Sequence, residues 1–103
     1  MFEDKIEVSG QIVTLNEYSA LRRERLQEVY EDVAKFVEKK QKKTNVEVTV
    51  DDLTIDEKAA FWQKTAQVLW KEELPIEFFQ SKEFEVSLLE KSERFFLTKR
   101  NYL

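Results

Sequence analysis

Residues 54–75 read TIDEKAAFWQKTAQVLWKEELP, one helix start and one helix stop with an apolar segment between them. Thr54 and Glu57 have capping-box spacing: the hydroxyl accepts from a backbone N–H of the first turn, and the glutamate reaches back to the threonine N–H. Asp51 and Asp52 place negative charge just before the start, where the helix dipole favours it. At about 100° per residue, Ile55, Ala59, Trp62, Ala66, Leu69, Trp70 and Leu74 gather on one side. The residue before a proline avoids the α region, so Pro75 stops the helix and the spacing predicts it over 55–73. Phe61 and Val68 point nearly opposite the main stripe, joined by Thr65. The helix therefore has two apolar faces. A central helix in a small bundle would bury both, whereas a peripheral one would present Phe61, Thr65 and Val68 to a partner.

Upstream, the only glycine and the only proline of the 103 residues lie far apart, which leaves few tight turns and favours helices over many short strands. Ile6 and Val8 alternate before Ser9-Gly10 and Ile12 follows, which predicts a hairpin within 5–15. Thr14 to Glu17 again has the form of a capping box, placing a helix start near Asn16 and a helix over 17–43. Tyr18, Leu26, Val29, Tyr30, Val33, Phe36 and Val37 share about 120° of that helix, and the lysine-rich end EKKQKK suits a helix C-terminus. Arg22 falls at the centre of the same apolar arc. Either its stem snorkels along the first turns or its guanidinium meets an acidic partner; snorkelling is the reading adopted. The alternation of Val46, Val48 and Val50 fits a third strand or an extended crossing.

Downstream, Ile76, Phe78 and Phe79 occupy a short connector after Pro75. Connectors run over surfaces, which makes these residues candidates for an exposed interface. Phe84, Leu88, Leu89, Phe95, Phe96 and Tyr102 then fall in about 140° of arc, a further amphipathic helix over 81–99. The fold class expected is mainly α: about three amphipathic helices with a small N-terminal β-hairpin, in a single domain over 1–103.

Composition excludes several functions. There is no histidine and no cysteine, which removes the commonest general acid/base, the thiolate nucleophile, disulfides and soft metal ligands. No glycine-rich phosphate loop occurs, and the acids at 51, 52, 56 and 57 lack the spacing of a calcium loop. No enzyme activity, metal or cofactor is expected. Arg22, Arg23 and Arg25, with Lys39, Lys40, Lys42 and Lys43, form two basic clusters, yet between Glu17 and Lys43 eight bases oppose six acids and the whole chain carries −4. A nucleic-acid partner is not favoured, although a small regulatory DNA-binding or anti-repressor protein is the alternative reading. No apolar run approaches the roughly 20 residues that a bilayer requires, and MFEDKIEV lacks the basic start of a secretion signal, so no membrane is expected and a cytoplasmic setting is. Aromatics make up 13% of the chain. A chain of this mass folds to about 6,100 Å² of surface from about 18,000 Å², and so small a core leaves apolar surface for another helix or another copy.

The succession of KIEVSGQIVTLNE, a long mixed-charge helix, FWQKTAQVLW and EFFQSKEFEVSLLEKSERFF resembles the small tail assembly chaperones of long-tailed bacteriophages, those of lactococcal siphophages in particular. That resemblance implies a non-enzymatic, mainly helical protein that self-associates, in spiral or filament-like arrays, and coats the hydrophobic helical tape measure protein before the tail tube forms. It also implies action in the bacterial host cytoplasm and absence from the finished virion. A connector retained in the particle is a related possibility. The expected interface residues, Phe61, Thr65, Val68, Ile76, Phe78, Phe79 and Arg22, come from helical geometry and not from the resemblance.

Overall fold

The structure is a computed structural model that describes residues 4–99. Among them are a two-stranded sheet and four helices. Strands β1 (Lys5–Val8) and β2 (Gln11–Thr14) pair antiparallel with Val8 opposite Gln11. Both residues of the turn, Ser9 (φ 51°) and Gly10 (φ 80°), are left-handed, as a two-residue turn matched to strand twist requires. The strained serine is held by its Oγ, which donates to the Glu83 carbonyl at 2.8 Å.

Thr14-Leu15-Asn16-Glu17 does not open a helix, contrary to the spacing. A tertiary strand pairing competes for the same atoms. Leu15 bridges Trp70, the Lys71 N–H donates to the Thr14 carbonyl at 2.8 Å, and the Asn16 N–H donates to the Leu69 carbonyl at 2.7 Å. The Thr14 hydroxyl, expected to cap, instead donates to Glu72 Oε1 at 2.7 Å, and the Thr14 N–H to Oε2 at 2.6 Å. Helix α1 (Ala20–Thr44) begins three residues after 17, with Ser19 Oγ accepting from the Arg22 N–H, and ends on the left-handed Asn45. The segment TNVEVTV forms no strand. Val46 and Val50 are exposed, and Val50–Asp52 make a 3-10 turn closed by Thr49 and Asp52.

Helix α2 (Ile55–Leu69) starts at the Thr54–Glu57 capping box, as the spacing predicts. It stops at Leu69 and not at Glu73, because Trp70 and Lys71 are drawn into the pairing with Thr14 and Leu15. Asn16 Nδ2 donates to the Val68 carbonyl at 2.9 Å and the Trp70 carbonyl at 3.2 Å, satisfying acceptors that a helix end leaves open. Asn16 is buried, so Asn16→Ala strands these carbonyls and is expected to cost about 2–3 kcal/mol by chemical denaturation.

The connector folds into a short helix, α3 (Ile76–Gln80), which makes four helices where three were expected. Helix α4 (Val86–Lys99) starts five residues after 81, because Ser81 is extended and its hydroxyl accepts from the Glu83 N–H, an alternative to helix bonding. Tyr102, placed on this helix's arc by periodicity, lies outside the described residues. α2 is the central element, in contact with α1, α3 and α4. Trp70, Phe79, Phe96, Leu26, Leu69, Val8 and Val13 are fully buried, and Trp70 Nε1 donates to Ser92 Oγ at 3.1 Å. Every buried side-chain polar atom among the described residues has a partner.

Glu72 is the titratable group most closely tied to this scaffold. Burial raises its pKa, but the two hydrogen bonds from Thr14 outweigh that, and the net shift is below the ordinary 4.5. The stabilisation is therefore complete above pH 4.5 and lost as pH falls through the lower folded value. Glu72→Gln is expected to flatten the acid limb of the stability profile; an unchanged limb would remove Glu72 from the scaffold.

Candidate docking groove on the first helix

α1 has 25 residues, about 37 Å at helical rise, against 15 in α2, about 22 Å. The two helices run antiparallel: Phe36 meets Phe61 edge-on at 5.6 Å, and farther along α1 Lys40 pairs with Glu57 at the start of α2. Lys40 also lies over the Phe36 ring, 5.6 Å from its centroid. The Glu57 carboxyl is held below its ordinary range, first by the Lys40 hydrogen bond and then by the Thr54 N–H. These contacts cover one side of the α1 apolar stripe. The other side is left open.

Only Leu26 and Val29 of α1 are buried, and none of the residues from Tyr30 to Thr44 is. Tyr30, Val33, Ala34 and Val37 floor a shallow groove of about 700 Å³ that Thr49, Val50, Glu38, Gln41 and Lys42 also line. The Tyr30 hydroxyl donates to the Glu93 carboxylate on α4, which fixes the ring at the groove's inner end. Burial, and then that acidic partner, push its pKa well above the ordinary value, so the hydroxyl stays a donor. At the Phe36–Phe61 contact a second cleft of about 480 Å³ is lined by these two rings with Ala60, Lys64 and Asp56 among others.

The exposed surface is 7381 Å², roughly a fifth above the about 6,100 Å² expected for this mass, and the molecule measures 52 × 30 × 18 Å. The uncovered length of α1 contributes to that excess.

The residues expected to form an interface divide. Phe61, Ile76, Phe78 and Arg22 are half-buried and retain accessible surface. Thr65, Val68 and Phe79 do not serve as an exposed face. Val68 and Thr65 are buried because α2 has neighbours on both sides, and the Thr65 hydroxyl donates back to the Phe61 carbonyl at 2.9 Å. Phe79 has no exposed surface; its ring stacks on Trp70 at 6.2 Å and meets Phe78 and Phe84 edge-on at 5.2 Å each. The connector is short but not superficial: three aromatic rings anchor it to the core. Arg22 does not pair with an acid; its guanidinium donates to the Glu17 backbone carbonyl at 2.8 Å.

Val33, Ala34, Val37 and Val50 were not among the expected interface residues. The first and third lie on the apolar arc that periodicity predicts for this helix, and the structure leaves that part of the arc incompletely buried. Within the basic cluster, Lys40 is taken by Glu57 and Lys42 by Glu38 at 3.0 Å, which reduces the positive field available to a phosphate backbone. Among the described residues no group of acidic side chains has the geometry of a metal site, and no helix is long and apolar enough to cross a membrane. Comparisons with protein-family models, with curated proteins and with solved structures returned no match, so the groove is interpreted from its own chemistry.

Proposed function

We propose that this protein is a non-enzymatic tail assembly chaperone that holds apolar helical segments of a long client, the tape measure protein of a phage tail, until the tail tube assembles around it. The observation carrying this reading is the open groove of α1. Its floor of Tyr30, Val33, Ala34 and Val37 follows helical i, i+3, i+4, i+7 spacing, which makes a continuous apolar strip along α1 against which a client helix can lay its own apolar face. A client helix laid along it removes apolar stripes from water that would otherwise aggregate. Many shallow sites along a repetitive client give strong total retention while each contact remains releasable. Self-association along the client is part of the same reading, as are action in the host cytoplasm and release before the particle is complete. Phe61, Ile76, Phe78 and Arg22 are secondary contacts.

The net charge of −4 keeps the unloaded protein soluble despite its open apolar surface. Co-expression with the tape measure protein, followed by purification through a tag on one partner, tests the proposal. Recovery of the client in soluble form only when both are present is the expected outcome.

A further inference from the structure

We propose that the connector between α1 and α2, residues 45–53, is a strap that closes over the α1 groove in the free protein, Val48 and Val50 covering Val37 and Val33, and that a docking helix displaces it. Two apolar sets lie side by side with neither buried. From Val46 to Asp51 the connector alternates valine with a polar residue, the pattern of an extended chain with one face covered. Yet none of the three valines is buried, and Val46 and Val50 are 64% and 51% exposed. Val50 already lines the groove together with Val33 and Val37, but its neighbour there is Thr49, where strict alternation puts Val48.

The spacing of the two sets matches. Side chains on one face of an extended chain repeat about every 6.6 Å, and those four apart on a helix about every 6 Å. Asn45 ends α1 in the left-handed conformation, and the place of Thr49 and Val50 beside Val33 and Val37 shows that the chain then runs back along the helix. Measured from Asn45, an extended chain reaches Val48 after about 10 Å and Val50 after about 17 Å, while Val37 and Val33 lie about 12 Å and 18 Å back along α1. Val48 comes level with Val37, and Val50 with Val33. Glu47, Thr49 and Asp51 then face water.

Few bonds oppose the change. The Thr49 N–H and hydroxyl donate to Asp52 Oδ2 at 2.8 and 3.2 Å, which holds the 3-10 turn. Among the described residues, the one hydrogen bond from 46–53 to the rest of the chain runs from the Val48 N–H to Gln41 Oε1, at 3.4 Å. All three are exposed, so water can replace them at little net cost, whereas closure removes valine surface from water on both sides. Leu53 is buried and anchors the far end of the strap. Displacing the strap requires a ligand that covers more apolar surface than the two valines do, which favours a long apolar helix over incidental contacts.

This inference rests on the proposed function for the identity of what displaces the strap; closure itself is tested without any client. The chain has no cysteine, so an engineered pair reports on one contact. Val37→Cys with Val48→Cys is expected to form an intramolecular disulfide under oxidised glutathione at least about tenfold faster than Val37→Cys with Glu47→Cys, because residue 47 faces away from the groove in the extended strap. Mass spectrometry reads the bridge, and circular dichroism shows whether both variants keep their helices. Equal rates in the two folded variants, or a bridge in neither, would overturn the proposal. The bridged form is also expected to lose binding of a synthetic amphipathic helix with a leucine stripe and to regain it on reduction; a bridged form that binds the helix as well as the reduced one would overturn displacement. Failure of the parent and the reduced variant alike to bind it would instead count against the proposed function, with closure still standing on the bridge.

Discussion

Replacing Phe79 by alanine is expected to destabilise the protein by about 3–5 kcal/mol, the range for truncating a fully buried aromatic ring. The ring has no exposed surface and joins Trp70, Phe78 and Phe84 into one aromatic cluster, which fastens α3 and the start of α4 to the end of α2. Truncation leaves a cavity among rigid rings that collapse poorly into it. A domain of this size is stabilised by about 5–15 kcal/mol in total, so the variant loses a large share, and the loss is read directly as a lower denaturant midpoint with unchanged slope. Phe78→Ala, at a half-buried position on the same cluster, is expected to cost less. A cost for Phe79→Ala below about 1 kcal/mol would mean that the cluster does not hold the connector.

The second large effect is on binding, not on folding. Val33→Asp with Val37→Asp places two charges on the groove floor. Each valine that is fully buried by a docked helix contributes about 1.5–3 kcal/mol, so losing both is expected to weaken capture of a helical client at least about 100-fold. Monomer stability should change little by comparison, because neither side chain is buried in the folded chain. A double variant that unfolds would return these valines to the core, and a folded variant that retains full client capture would place the client elsewhere.

Much of the fold is legible in local sequence. Thr54 and Glu57 mark the start of α2, and Ser9-Gly10 marks the hairpin turn, because each depends only on atoms within a few residues. Errors arise where distant atoms compete. Thr14 has the residues of a cap, but Glu72, fifty-eight positions away, takes its hydroxyl and N–H. Leu69 ends α2 early because Asn16 and Leu15 claim the carbonyls and backbone beyond it. No periodicity encodes that competition. The groove was within reach of the sequence, through length: a partner helix stopped by Pro75 cannot cover a helix that runs to Thr44, so part of the α1 stripe must remain open. Only part of the aromatic surplus keeps accessible surface. Phe79 and Val68 are consumed by the core of a molecule whose central helix has neighbours on both sides, whereas the open stripe is aliphatic.

The most direct measurement is the mass, by light scattering, of the complex purified after co-expression of this chain with the proposed client, a phage tape measure protein, made in parallel with the Val33→Asp, Val37→Asp variant. A soluble particle holding several copies of this chain per client, formed by the parent and lost with the folded variant, is the predicted result. An insoluble client beside a parent chain that elutes without it would contradict the proposed function.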